Sequence, residues 1–200
     1  MTTTENPTEQ RTALIVIDVQ CGNVADAYER EAVIGRIGEL ITRAKDAGSP
    51  VIWIQHGSGP LVPGSDAWQI VEELRPGAEE TVVPKLHLDS FADTTLRAEL
   101  DALGVTSLVI CGAATDACIR TTTMRALVEG YDTTLVSDAH TTDIGPWDLP
   151  LPNGEMVPIG AREMIAYTNF FIEDTTYPGV VTAVTPTADV SFQRSPTPAC

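Results

Sequence analysis

In Val109-Ile110-Cys111-Gly112-Ala113-Ala114-Thr115-Asp116-Ala117-Cys118-Ile119 a strand passes into a helix through a turn of small residues, the unit from which an α/β fold is built. The apolar run from Leu108 to Cys111 reads as a strand and ends at a glycine. A short turn of small residues follows, and the chain then reads as a helix from about Thr115 to Gly130. This places Cys118 in the first turn of a helix, at the C-terminal edge of a sheet. Unpaired N–H groups and the helix dipole put partial positive charge there. A thiol so placed is expected to have its pKa lowered toward the thiolate, the nucleophilic form. The plain alternative is a small buried hydrophobe, the usual state of a free cysteine.

Two further runs end in a charge. Leu14-Ile15-Val16-Ile17-Asp18 has four apolar residues in a row, the pattern of a strand buried on both faces in a parallel sheet. Asp18 then sits where the strand leaves the sheet, the region in which open α/β sheets bind ligands; otherwise it is a turn residue. Val82-Val83-Pro84-Lys85 is the second run, and the alternative for Lys85 is a solvated surface lysine. If the three strands are neighbours, Asp18, Lys85 and Cys118 converge at one edge.

Strand candidates fall at 12–17, 51–55, 81–84, 106–111 and 133–137, with a weaker one near 179–184. Residues 27–47 read as a helix: Val33, Ile37, Leu40, Ile41 and Ala44 share one face, and Gly48 with Pro50 stops it. Residues 92–103 repeat the logic with Leu96, Leu100 and Leu103, and Ser90 with Asp93 resembles an N-terminal capping pair. Helices are also expected over 116–129 and about 160–171. The alternation predicts an α/β fold: a three-layer α/β/α arrangement with a mostly parallel central sheet, in a single domain covering 1–200. Residues 57–66 and 144–160, rich in Gly and Pro, read as loops. Residues 1–10 and 192–200 read as flexible tails.

With 200 residues the chain is the size of one domain, and its 43% hydrophobic content and mean hydropathy of +0.03 fit a soluble globular protein. No apolar run approaches the roughly 20 residues of a membrane span. The start, MTTTENPTEQR, lacks a basic region followed by an apolar one. Twelve basic against 28 acidic residues give a net charge of −16, which argues against nucleic acid and membrane partners. The four cysteines, Cys21, Cys111, Cys118 and the terminal Cys200, show no disulfide or zinc spacing, so a reduced, cytoplasmic setting is expected.

The ordered motifs Ile17-Asp18-Val19-Gln20, Pro84-Lys85 followed by Ser90-Phe91, Cys111 to Ile119, and Gly130 to Ala139 resemble those of the isochorismatase-like cysteine hydrolase superfamily. The superfamily includes nicotinamidases and N-carbamoylsarcosine amidase. The resemblance covers roughly residues 12 to 185. It implies Asp18, Lys85 and Cys118 as a catalytic triad, a cis peptide between Ala113 and Ala114, and an oxyanion hole made by the Ala114 and Cys118 N–H groups. Gln20, His56, Trp68 and Ile119 are candidate substrate-binding residues. Nicotinamidases carry a metal site of an aspartate and histidines nearby. Here the matching stretch, Gln55-His56-Gly57-Ser58-Gly59, has no Asp-x-His, and Asp66 and His87 are the only extra ligand candidates. No metal and no cofactor are therefore expected. His140 reads as structural, and Trp68, Phe91, Trp147 and Tyr167 as core or interface aromatics. Cys21 departs from the polar residue common in relatives.

The expected reaction is cleavage of a small amide or N-carbamoyl bond through a thioester, with Asp18 as general base and Lys85 as a fixed cation. Hydrolysis of a vinyl ether such as isochorismate is the alternative enzyme, and Cys118 counts against it. A catalytically silent ligand-binding or interaction protein of the same fold is the non-enzymatic alternative. The partner is a small-molecule substrate, and the resemblance also implies a homodimer or homotetramer. Leu61, Val62 and Trp68 in one loop, with Ile144, Trp147, Leu149, Leu151 and Val157 in another, supply more apolar side chain than solvated loops need. Folding back over their own domain as a lid is the other outlet.

Overall fold

The computed structural model describes residues 11–192. Its core is a six-stranded sheet in the order β3-β2-β1-β4-β5-β8, with every neighbouring pair parallel. The strands are β1 (Thr12–Ile17), β2 (Val51–His56), β3 (Thr81–Lys85), β4 (Ser107–Ala113), β5 (Asp132–Thr141) and β8 (Thr182–Thr185). The helices are α1 (Cys21–Val24), α2 (Arg30–Asp46), α3 (Leu96–Ala102), α4 (Arg120–Val128) and α5 (Ala161–Glu173).

The two-residue repeat of β1 sends its side chains to opposite faces. Leu14 and Val16 pack with Val33, Ile37, Leu40 and Ala44 of α2, whereas Ala13, Ile15 and Ile17 pack with Leu96 and Leu100 of α3, Ala126 of α4 and Ile172 of α5. Both faces of the strand are thereby buried, which is why its sequence is a continuous apolar run.

The chain runs from β1 outward to β2 and β3, then returns to lay β4 on the other side of β1. The strand order reverses between β1 and β4. In open α/β sheets the crevice for ligands opens outside the carboxyl ends of the strands at such a point. Close pairing there depends on Gly112, whose φ is +121°: a Cβ on it would sit 2.1 Å from the Ile17 carbonyl oxygen.

Four details differ from the sequence reading. Residues 144–160 are not simply a loop: β6 (Trp147–Pro150) and β7 (Met156–Ile159) form an antiparallel hairpin outside the main sheet. Ser90 and Asp93 do not cap α3. Ser90 is fully buried and its hydroxyl pairs with Thr122 Oγ1 of α4 at 2.8 Å, while Asp93 takes a left-handed φ of 55°. The expected helix over 116–129 begins with a π-helical turn, Thr115–Ile119, before α4. The tail expected from 192 does not begin there, because Phe192 is buried with Val190 on the α2 face; residues 1–10 and 193–200, Cys200 among them, lie outside the described residues. Among the described residues no helix is long and apolar enough to cross a membrane.

Candidate active site

Four side chains meet where the carboxyl ends of β1, β2 and β3 face the π-helical turn after β4. Asp18 follows β1 directly, His56 ends β2, Lys85 ends β3, and Cys118 lies in the turn. The sheet brings them together differently from the simplest expectation. β1 and β3 are not adjacent: β2 runs between them, with His56 paired in register to Lys85. The length of the lysine side chain spans that gap.

Lys85 is the hub. Its ammonium lies 2.6 Å from Asp18 Oδ2, 3.0 Å from Cys118 Sγ, 3.2 Å from His56 Nδ1 and 3.1 Å from the His87 carbonyl oxygen. The side chains of Lys85 and Asp18 are 0% and 1% exposed. A buried charge of this kind persists only when paired. Asp18 is held from its backbone side as well. Its φ is 49°, its N–H donates to the Ile54 carbonyl, and its carbonyl accepts from Asn23 Nδ2 at 2.8 Å.

The expectation of a lowered cysteine pKa is corrected. Burial, followed by the negative charge of Asp18, pushes the Cys118 thiol up to about 12, and Lys85 only partly offsets this. A helix terminus is a partial charge, and it is outweighed here by desolvation and by a full carboxylate. Burial also raises the Asp18 carboxyl above its ordinary 3.8, against the opposing pull of Lys85. With the Asp18 carboxylate paired to the Lys85 ammonium and Cys118 held as the thiol, the trio sums to zero charge. Moving the proton from Cys118 Sγ to Asp18 leaves that sum unchanged, whereas releasing it to water does not. Burial and the Lys85 charge lower the His56 pKa. The neutral ring accepts from Lys85 at Nδ1 and faces Ser58 Oγ, 2.6 Å away, with Nε2.

The turn carrying Cys118 has its own support. The Ala117 and Ile119 N–H groups both donate to the Ala114 carbonyl, and the Ala113–Ala114 peptide is cis. Thr115 Oγ1 lies 2.8 Å from His140 Nδ1, His140 Nε2 lies 2.9 Å from Asn169 Oδ1, and Asn169 Nδ2 donates to the Ser137 carbonyl. His140 is 1% exposed and burial lowers its pKa, so the ring is neutral and links α5 to the turn through β5.

A cavity of about 250 Å³ opens beside the trio, lined by Asp18, His56, Cys118, Ala114, Ala117, Asn23, Gly22, the 58–61 segment and Leu88. Of the candidate substrate-binding residues, only His56 borders it. Gln20 is fully buried, and its amide bridges the chain: Nε2 donates to the His56 and Trp68 carbonyls and Oε1 accepts from the His56 N–H. Trp68 borders a separate groove with Gln55 and Asp66. Ile119 is fully buried in the core beneath the turn. Asn23 and Ser58 are wall residues with no sequence signal beyond lying near Asp18 and His56.

The donor atoms of Asp18, His56 and Cys118 lie within 4.8 Å of one another, the one such group among the described residues. The Lys85 ammonium fills the space between them, so the set does not fit a metal ion. Asp66 and His87 do not join the group.

Comparison with known proteins gives the family and the fold. Residues 12–144 match the family model described as the isochorismatase domain. A streptothricin hydrolase of Streptomyces noursei is 38% identical over 144 residues, 69% of this chain and 51% of the relative. The chain thus spans about half of that relative's length. A ureidoacrylate amidohydrolase of Methylobacterium radiotolerans is 29% identical over 180 residues, covering 69% of each. The crystal structure of an isochorismatase from Pseudomonas putida KT2440 superposes with a TM-score of 0.77 at 27% identity, covering 93% of this chain and 94% of that one.

Proposed function

The chain belongs to the isochorismatase family, and from that premise we propose that it is a cysteine hydrolase that cleaves a C–N amide or N-carbamoyl bond of a small molecule through a thioester. The observation that carries the reading is the Lys85 ammonium placed 2.6 Å from Asp18 and 3.0 Å from Cys118. Asp18 takes the thiol proton, and Lys85 then holds the thiolate in place of the carboxylate it has neutralised. The thiolate attacks the substrate carbonyl carbon. Ala114 and Cys118 border the cavity, and their N–H groups are the oxyanion donors in this reading; each such donor is worth roughly 3–4 kcal/mol of barrier. Asp18 returns the proton to the departing nitrogen, and the C–N bond breaks. With Asp18 again as base, water opens the thioester and frees the acid and the thiol.

Two relatives named for hydrolysis, a streptothricin hydrolase and a ureidoacrylate amidohydrolase, support this reading. A nucleophilic cysteine is not needed to cleave a vinyl ether, and its place in the trio favours acyl transfer. The test is ammonia release from a panel of small amides by wild type and Cys118→Ala, with intact-mass detection of an acyl-enzyme. Turnover that survives Cys118→Ala overturns the thioester route.

A further inference from the structure

We propose that the cavity beside Cys118 selects uncharged or cationic amides and turns away those bearing a carboxylate. For turnover this rests on the function proposed above; for binding it stands alone.

Among the described residues, no arginine or lysine side chain lines the cavity. Lys85 lies behind the wall, 0% exposed, with its ammonium already facing four partners. His56 offers no charge, because its pKa is lowered and both ring nitrogens have partners. Arg120, two residues past Cys118, is committed elsewhere: its guanidinium lies over the Phe171 ring at 4.5 Å and near Tyr167 at 5.7 Å. The one ionised side chain on the wall is the Asp18 carboxylate, whose charge the Lys85 ammonium behind it already answers at 2.6 Å. The remaining polar wall groups, Asn23 and Ser58, are neutral.

A substrate carboxylate entering this space leaves water for two neutral side chains and an ion pair that is already complete, with no cation left to receive it. Such a transfer costs several kcal/mol when no cation answers it. The wider field works the same way. The exposed Asp116 shares the turn with Cys118, and the chain carries a net −16, which lowers the local concentration of anions and raises that of cations. Because the cavity is about 250 Å³, only a short acyl chain fits, and a terminal charge three carbons from the amide still falls within or at the mouth.

Three primary amides of similar length separate the charge states: butyramide, 4-aminobutyramide and succinamate. Their binding to Cys118→Ala, and to Cys118→Ser as a second inactive form, is measured by calorimetry, and their hydrolysis by wild type is measured as kcat/KM. Butyramide and 4-aminobutyramide are expected to bind at least about tenfold more tightly than succinamate, with the cationic amide's lead over the neutral one shrinking as salt rises. Leu88→Arg, at a half-exposed wall position, places a cation there and is expected to close the gap for succinamate. Succinamate binding as tightly as butyramide, binding by none of the three, or a gap unmoved by Leu88→Arg overturns the proposal. If the binding order holds and none is hydrolysed, the charge selection stands and the amidase reading is what fails.

Discussion

Lys85 Nζ sits 2.6 Å from Asp18 Oδ2 although a whole strand separates the two backbones. Breaking such a buried pair leaves one charge without an answer and typically costs about 3–5 kcal/mol. Lys85→Met is therefore expected to lose activity and about that much stability near neutral pH. Its stability should recover on acidification. The Asp18 carboxyl, already above 3.8, rises further without the ammonium, so the native state keeps a proton that the unfolded chain releases. Denaturant titrations at pH 5 and pH 8 check this; equal losses at both would refute it.

Alkaline stability tests the thiol. The native Cys118 pKa is raised from 9.0 to about 12, so its contribution is fully present below pH 9 and is lost between 9 and 12. The slope is at most about 1.4 kcal/mol per pH unit. Cys111 and Tyr131, also raised by burial, add to the wild-type decline, so the reading is the difference from Cys118→Ala, which should fall less steeply. Parallel curves of Tm against pH would contradict the assignment.

Thiol labelling gives the kinetic counterpart. Cys21 is exposed, whereas Cys118 is buried and protonated at rest. At pH 7 iodoacetamide should modify Cys21 before Cys118, as followed by peptide mass mapping, and the Cys118 rate should still be rising above pH 9.

Gly112→Ala is expected to be the most damaging single methyl group in the chain. Its Cβ would meet backbone atoms of Ile17 at 2.1, 2.7 and 2.9 Å, and no rotamer relieves a clash with backbone. A loss of more than about 4 kcal/mol, or failure to accumulate folded protein, is the expected outcome. A near-native unfolding midpoint would show that β1 and β4 can part there without cost.

Thr115→Val removes the partner of His140 Nδ1 while keeping the shape. A buried ring nitrogen left unsatisfied costs about 1–3 kcal/mol. Because Thr115 opens the turn that carries Cys118, kcat should fall as well. Unchanged stability would mean that water or another group replaces the threonine.

Much of this architecture was legible because burial writes itself into sequence. β1 was bounded at 12–17 because both of its faces are covered, and α2 was visible from one apolar stripe. The hairpin was not, since Trp147-Asp148-Leu149-Pro150 and Met156-Val157-Pro158-Ile159 mix prolines into short strands, which only edge-like pairing tolerates. Asp18 and Lys85 are nameable as strand ends and Cys118 as a residue of the turn after a strand, but strand order is not, so neither the reach of Lys85 across β2 nor the place of His56 beside it can be read. Gln20 looked like a site residue because it stands near Asp18, whereas its amide fastens backbone. The sequence points the thiol shift the wrong way because the helix dipole is visible in it and the depth of burial is not.

The two apolar loops are covered to different extents. Leu61 is buried against its own domain and walls the cavity, as a lid residue would, while Val62 beside it stays 58% exposed. On and beside the hairpin, Ile144, Leu149, Leu151, Met156 and Val157 remain exposed, between 37% and 59%. We expect these to be covered in a homodimer or homotetramer. Sedimentation should give a species above 21.4 kDa at micromolar concentration, and Leu149→Asp with Val157→Asp should return it to monomer. A wild type that sediments as monomer removes the expectation.

The zero net charge of the Asp18–Lys85–Cys118 trio has a consequence for how such a chain can diversify. A neutral cluster answers distant fields only through its dipole, and charges beyond roughly 8–10 Å are largely screened in physiological salt. Substitutions that add or remove surface acids can therefore retune solubility, salt tolerance and which molecules drift toward the opening, while the proton shared at the centre keeps its balance. The exterior is free to adapt to a new habitat without renegotiating the chemistry inside.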